Sequence, residues 1–173
     1  VDIDGAGASG DSDPGFVITG GTNGTRIDQI VVKNHTYNAV QETDNAWQIR
    51  RETNITLGTV DIYNCLYNGF RINHADNVTL SKIRMTNCGS IAPIAQAALH
   101  IGQTPAHYLD ADVNAYSTNV VIGQVIQVAG ASVPGYAIHV NSQSTGSIAS
   151  RSLTSWSLGP IQNNAGSNFT IAP

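Results

Sequence analysis

The sequence predicts an all-β solenoid, and three observations support this prediction. Its 173 residues include 18 Ile and 14 Val, which favour strands, against 2 Glu, 2 Lys and 7 Leu, which favour helices. Short strand-like patterns recur along the chain at steps of 24 to 39 residues. No helical pattern lies between them, and repeats of this kind are typical of solenoids.

The first recurring pattern is a short strand with two inward positions around one outward residue. Its six copies predict one short strand in each rung of the solenoid. Glu42 falls on an inward position, where a buried carboxylate needs a partner. The copies are Gly15–Thr19, Ala39–Glu42, Gly69–Asn73, Ala98–Gly102, Ala137–Asn141 and Asn168–Ala172.

The second pattern is longer and precedes most of the short ones. Asn54–Cys65 and Asn77–Cys88 align at a spacing of 23 residues. In each segment an apolar residue is followed by a second one three positions later and a third one two positions after that, and an Asn comes next. We expect Asn34, Asn64 and Asn87 to stack as a ladder at one corner, because an Asn side chain tolerates the left-handed turn and bonds to its copies. These patterns predict a single-stranded right-handed parallel β-helix of about six rungs.

Residues 1–173 form one predicted domain, with loop insertions near 43–52 and 103–117. The chain starts without Met on a strand-like segment, so we expect it to be a piece of a longer polypeptide. Cys65 and Cys88 follow ladder positions, and we expect two free, buried thiols because stacked side chains that point the same way suit a disulfide poorly.

The charge pattern excludes several classes of function. The net charge is −4 and only 12% of residues are charged, which argues against nucleic acid binding. The absence of a run of about 18 apolar residues argues against membrane insertion. Asp110 and Asp112 open a calcium-like loop that lacks the following Gly and the distal Glu, so no metal or cofactor is predicted.

The rung pattern resembles that of the pectin-lyase-like right-handed β-helix superfamily, from Val1–Gly7 to Asn168–Ile171. This superfamily includes pectate lyases, polygalacturonases and pectin methylesterases, and it forms the bodies of bacteriophage tailspikes. The chain lacks the polygalacturonase motifs Asn-Thr-Asp, Asp-Asp, Gly-His-Gly and Arg-Ile-Lys, so no specific reaction transfers to it. The composition is most similar to a tailspike segment, which implies a polysaccharide partner, a homotrimer and a location on the virion tail or outside the cell.

Unequal loop lengths suggest a site on one edge of the solenoid. The insertions near 43–52 and 103–117 are expected to form two walls, with Asn73–Asp76 as the floor between them. Trp47, Arg50 and Tyr108 on the walls, with His74 on the floor, suit a saccharide because aromatic rings stack on sugars. For catalysis, Asp76 could act together with Asp110 or Asp112 as an acid/base pair.

A row of outward residues provides further candidates for substrate binding. Arg71, His100 and His139 follow one another up one face, where they could line a groove for an acidic polysaccharide or form an ordinary solvated face. Three functions stay open: a tailspike-like chain that binds a bacterial surface polysaccharide, with or without cleaving it, a secreted polysaccharide lyase or hydrolase without a viral role, and a non-enzymatic stalk or adhesin segment.

Overall fold

The computed structural model describes residues 1–4, 16–19, 24–34, 47–65, 69–88, 97–102, 116–128, 130 and 133–173. The described residues form thirteen strands and one 3₁₀ turn at Gly166–Asn168. The strands are β1 (Asp2–Asp4), β2 (Phe16–Thr19), β3 (Arg26–Lys33), β4 (Trp47–Arg50), β5 (Thr53–Cys65), β6 (Phe70–Asn73), β7 (Asp76–Cys88), β8 (Ala97–Ile101), β9 (Thr118–Val128), β10 (Tyr136–Val140), β11 (Gly146–Leu153), β12 (Gly159–Asn163) and β13 (Phe169–Ile171).

The strands alternate between two parallel sheets along the chain. Odd-numbered strands form a seven-stranded sheet in the order β1-β3-β5-β7-β9-β11-β13, and even-numbered strands form a six-stranded sheet. Each strand pairs with the strand two positions further along the chain. This arrangement confirms the predicted all-β parallel solenoid. No helix in the described part of the chain is long and apolar enough to cross a membrane.

Stacked columns of aliphatic side chains fill the interior. Val60, Ile83 and Val125 occupy the same register position in β5, β7 and β9, and each is fully buried. Ile49, Ile72 and Ile101 form the corresponding column of the six-stranded sheet. Each apolar residue stacks on the equivalent residues of the rungs above and below. The abundance of Ile and Val therefore follows directly from the fold.

The long strands bend where their alternation changes phase. Leu57 and Val60 in β5 are both buried, while Gly58 and Thr59 between them are not. The same shift occurs at the aligned positions of β7 and β9. A Cβ atom on Gly58 would lie 2.1 Å from the carbonyl oxygen of Asp28, so glycine allows the close approach of the two rungs at this bend.

The predicted asparagine ladder is present. The Nδ2 of Asn64 donates to Oδ1 of Asn34 over 2.9 Å, and the Nδ2 of Asn87 donates to Oδ1 of Asn64 over 3.1 Å. All three residues have φ between 55° and 57°. Asparagine is favoured here because it tolerates the left-handed backbone and bonds along the stack.

A second asparagine ladder, which was not predicted from the sequence, lies at the start of the long strands. The Nδ2 of Asn77 donates to Oδ1 of Asn54 over 3.2 Å, and the Nδ2 of Asn119 donates to Oδ1 of Asn77 over 3.0 Å. Their φ angles are 57°, 55° and 51° for Asn54, Asn77 and Asn119. Strands β5 and β7 therefore each carry an asparagine ladder position at both ends.

The two cysteines behave as predicted. Cys65 and Cys88 are register partners in β5 and β7. Both are buried and neither forms a disulfide. They fill the same inward column, as two small apolar side chains would.

Two predicted short strands need correction. The structure places a strand at Trp47–Arg50, inside the segment predicted as a loop insertion near 43–52. Its Ile49 fills the column between Ile18 and Ile72, which the predicted Ala39–Glu42 was expected to fill. Ala39–Glu42 itself lies outside the described residues.

The second correction concerns the C-terminal pattern. β13 pairs with β11 in the seven-stranded sheet, whereas Asn168–Ala172 was predicted as a short strand of the other sheet. The short strand of that rung is β12, which pairs with β10. The Phe-Thr-Ile alternation fits either sheet, so the pattern could not distinguish them.

Candidate functional site

One corner of the solenoid brings charged and aromatic side chains together. It is the corner where the chain passes from the six-stranded sheet to the seven-stranded sheet. The turn from β4 to β5 consists of Arg51 and Glu52, and the turn from β6 to β7 consists of His74 and Ala75. Arg51 and His74 have φ of 57° and 49°, so both residues adopt the left-handed conformation at equivalent positions.

Three exposed side chains lie at equivalent positions of this corner, each two residues before the start of a long strand. Thr53, Asp76 and Thr118 are register partners at the starts of β5, β7 and β9. Two residues before them stand Arg51, His74 and Tyr116, all exposed. We call these three residues the corner stripe. Successive rungs lie about 4.8 Å apart, so the stripe extends over roughly 10 Å.

A pocket of ≈ 560 Å³ opens beside the corner stripe. The described residues that line it include the stripe itself and Thr53, Asp76 and Thr118. Glu52 and Ala75 also line it, although both are buried, so they contribute from within the fold. A pocket with one aromatic ring, two basic side chains and a carboxylate suits a polar, hydroxyl-rich ligand.

Asp76 is held by two donors. Thr118 Oγ1 donates to Asp76 Oδ1. The Nδ2 of Asn77 donates to Asp76 Oδ2 over 3.2 Å. Both carboxylate oxygens are therefore oriented by neighbours, one of them in the next rung. A carboxylate fixed in this way can accept a hydrogen bond from a ligand, or a proton in a reaction, at a defined position.

Two buried serines form hydrogen bonds to the backbone and to each other beneath this corner. Ser117 Oγ donates to the carbonyl oxygen of Ile72 over 3.2 Å and accepts from the N–H of Ala75 over 3.3 Å. The N–H of Ser117 donates to Ser144 Oγ over 3.3 Å. Both serines are fully buried. Their hydroxyls satisfy backbone groups that the tight turns would otherwise leave unpaired, which fixes the residues beside them.

The structure brings together some of the predicted site residues. Asp76 and His74 line the pocket. Trp47 and Arg50 lie in β4, in register with Phe70 and Asn73, rather than in a wall loop. Tyr108, Asp110 and Asp112 lie outside the described residues, as does most of the insertion near 103–117.

The corner also contains two residues that were expected on the loop walls but were not chosen as substrate-binding residues. Arg51 and Tyr116 fall inside the two predicted insertions, where Arg50 and Tyr108 were chosen instead. The available signal was their spacing, because each stands two residues before the first residue of a long strand, as His74 does. Thr118 was missed because its importance depends on the register between β7 and β9.

The predicted outward row forms a buried column instead of a solvated face. Gln48, Arg71, His100, His139 and Gln162 are successive register partners across the six-stranded sheet. Only 1% of the Arg71 surface is exposed, and 3% of each of His100 and His139. The sheet is therefore covered on its outer side at this position as well as on its core side.

The two imidazole rings of this column stack on each other. Their centroids lie 4.6 Å apart and their planes are inclined by 15°. Burial, and secondly the charge of Arg71, lowers the pKa of His139 from 6.5 to about 4. The same causes, with a smaller contribution from His139, hold the pKa of His100 well below its usual value. Both rings are therefore neutral at pH 7.

Within the described residues, no group of three or more His, Cys, Asp or Glu side chains could hold a metal ion. Comparison of the chain with protein-family models, curated proteins and solved structures gave no match. A functional assignment therefore depends on the fold and on the geometry of the corner.

Proposed function

We propose that this chain is a carbohydrate-binding β-solenoid and that a polysaccharide binds along the corner stripe. The observation that carries the proposal is the alignment of Arg51, His74 and Tyr116 in three successive rungs beside Asp76 and one pocket. A tyrosine ring offers an apolar face to a sugar ring. The guanidinium donates to hydroxyl or carboxylate oxygens, and Asp76 accepts from hydroxyl groups.

The repeat of the solenoid suits a repeating ligand. Equivalent positions recur in every rung, about 4.8 Å apart, which is comparable to the length of one sugar residue. A rigid scaffold keeps this spacing, so binding does not have to order the backbone of the stacked strands. In this proposal the polysaccharide is a bacterial surface glycan, and the chain is part of a homotrimeric tailspike-type protein on a virion tail or outside the cell.

Cleavage of the glycan is a second candidate function, and the fixed orientation of the Asp76 carboxylate favours it. Thr118 and Asn77 orient its carboxylate beside the exposed His74. A glycosidase of the common type needs two carboxyl groups flanking the scissile bond. The described part of the pocket contains Asp76 and the buried Glu52, and the predicted Asp110 and Asp112 would have to supply a more exposed partner.

Binding is tested with the full chain against a panel of purified bacterial capsular and O-antigen polysaccharides, followed by calorimetry on the best ligand. We expect Tyr116→Ala to weaken binding about fivefold, because loss of one stacking contact removes about 1 kcal/mol. The matched control is Trp156→Ala, since Trp156 is an exposed aromatic residue that does not line the pocket. Equal losses in the two variants, or no binding to any glycan, would contradict the proposal and favour a stalk segment.

Cleavage is tested separately with Asp76→Asn. Release of reducing ends reports cleavage by either route; absorbance of an unsaturated uronate indicates elimination, and its absence alongside new reducing ends indicates hydrolysis. If the wild-type chain cleaves a bound glycan, we expect Asp76→Asn to lose most of the cleavage and only part of the binding, because the Asn amide oxygen still accepts a hydrogen bond but is a poor acid or base. Binding without cleavage by the wild-type chain would leave a pure binding function.

A further inference from the structure

We propose that the polysaccharide site continues for one further rung beyond the corner stripe, to Gln143, and that Gln143 forms a subsite for an uncharged sugar unit. This inference rests on the proposed function, because it extends the same binding surface. Gln143 is not among the described residues that line the pocket. The subsite therefore predicts two properties that the pocket alone does not, the length of the bound stretch of glycan and the charge of one of its units.

The backbone places Gln143 at the same corner as the stripe residues. Each stripe residue comes directly before a buried corner residue, and these buried residues are Glu52, Ala75 and Ser117. Gln143 comes directly before Ser144, which is also buried. The N–H of Thr145 donates to the carbonyl oxygen of Ser117 over 3.0 Å, as the N–H of Thr118 does to that of Ala75 over 2.9 Å. The turn from β10 to β11 is therefore the next rung of this corner, and Gln143 corresponds to Tyr116.

The backbone conformation of Gln143 distinguishes it from an ordinary surface residue. Nine described residues other than glycine have a positive φ, and six of them are the asparagines of the two ladders. The other three are Arg51, His74 and Gln143, with φ of 57°, 49° and 69°. Glycine and asparagine tolerate the left-handed region best, so the backbone does not favour long side chains at these three positions. Strain of this kind concentrates at functional sites, and here it recurs at one corner.

The chemistry around Gln143 suits an uncharged sugar. Its side chain is exposed and forms no hydrogen bond within the described part of the chain. The amide has one acceptor oxygen and two donor N–H groups, which match hydroxyl groups that both donate and accept. Residues 141–150 contain no charged side chain, and neither does the following turn at 163–168. An acidic sugar would find no counter-ion in this rung, whereas a neutral one needs none.

The added rung sets the length of the bound glycan. Arg51, His74, Tyr116 and Gln143 stand in four successive rungs, and three steps of about 4.8 Å span roughly 14 Å. At about one sugar unit for each rung, the extended site holds about four units. The three rungs of the corner stripe hold about three.

The test measures how affinity depends on ligand length. The probes are oligosaccharides of two to six sugar units, made by partial acid hydrolysis of the polysaccharide that binds best to the full chain. By calorimetry, wild-type affinity should rise up to about four units. Gln143→Gly removes the side chain and suits the left-handed backbone. It should bind fragments of four or more units about fivefold more weakly and leave the binding of shorter fragments unchanged. The control is Gln29→Ala, at an exposed glutamine of β3 that does not line the pocket.

The possible results separate the subsite from the proposed function. The thermal midpoint of Gln143→Gly should not fall below that of wild type, because glycine relieves the strain. A lower midpoint would assign Gln143 to the fold and overturn the subsite. Equal binding of a four-unit fragment by wild type and Gln143→Gly, or an equal loss in Gln29→Ala, would also overturn it, while weaker binding by Tyr116→Ala would still support the proposed function. If no polysaccharide bound the wild-type chain, the proposed function would be contradicted, and the subsite with it.

Discussion

The imidazole rings of His100 and His139 stack with their centroids 4.6 Å apart, and Arg71 occupies the same column one rung below. This arrangement gives the fold a pH dependence. A histidine whose pKa is lowered by folding binds its proton more weakly in the native state than in the unfolded state. The unfolded chain therefore takes up protons first as the pH falls below 6.5.

We predict that the free energy of unfolding is constant above about pH 7 and falls between pH 6.5 and about 4, the values for His139 in the unfolded and folded states. The contribution of His139 over this range is at most about 3 kcal/mol. Urea denaturation at several pH values measures it. His139→Gln should reduce this dependence and leave the part that is due to His100, whereas the exposed His74→Gln should leave it unchanged. Identical curves for wild type and His139→Gln would contradict this account.

The asparagine ladder at Asn64 supports a second prediction. Its side chain donates to Asn34 and accepts from Asn87, and its φ is 55°. Asn64→Ala loses two hydrogen bonds and the polar side chain that lets Asn tolerate the left-handed region, so it should destabilise the fold by about 3 kcal/mol. Asn64→Gly keeps the backbone conformation and should lose about 1 kcal/mol less.

Urea denaturation of both variants separates the two effects. The difference between alanine and glycine reports backbone strain, and the common loss reports the amide bonds. A glycine variant that is less stable than the alanine variant would show that strain at this corner is unimportant.

Much of the fold could be predicted because the interior is built from repeated columns. Leu57 and Leu80, or Val60 and Ile83, stand 23 residues apart and are direct neighbours in the structure. Rungs joined by loops of other lengths were harder to align. Ile49 and the predicted strand at 39–42 offered the same local alternation, and only the column between Ile18 and Ile72 selects Ile49.

The candidate site was predicted only in part for a related reason. Asp76 and His74 stand next to a two-residue turn, so their place at the corner followed from the pattern. Arg51 and Tyr116 depend on the register of β5 and β9, which the misplaced rung and the long connection obscured. The burial of Arg71 depends on what covers the sheet from outside, and strand alternation carries no information about that.

The bend in the long strands supports a third prediction. A Cβ on Gly58 would lie 2.1 Å from the backbone oxygen of Asp28, closer than real Cβ atoms approach. Gly58→Ala must push two rungs apart and should destabilise the fold by at least about 3 kcal/mol, or prevent folding. Thermal unfolding followed by circular dichroism measures this. Ser81→Ala, at the aligned bend of β7, is the control and should behave like wild type. An unchanged midpoint for Gly58→Ala would show that the bend is not tightly packed.

The link between Thr118 and Asp76 supports the last prediction, which connects stability to the pocket. Thr118→Val keeps the shape of the side chain but removes the hydroxyl that donates to Asp76 Oδ1, whereas Thr118→Ser retains it. The valine variant should be less stable by about 1–2 kcal/mol. It should also bind the polysaccharide more weakly, because Asp76 loses the donor that orients it from the next rung. The serine variant should preserve both properties. If valine and serine gave the same affinity, the orientation of Asp76 would have no part in ligand binding, and the pocket would have to act through the corner stripe without it.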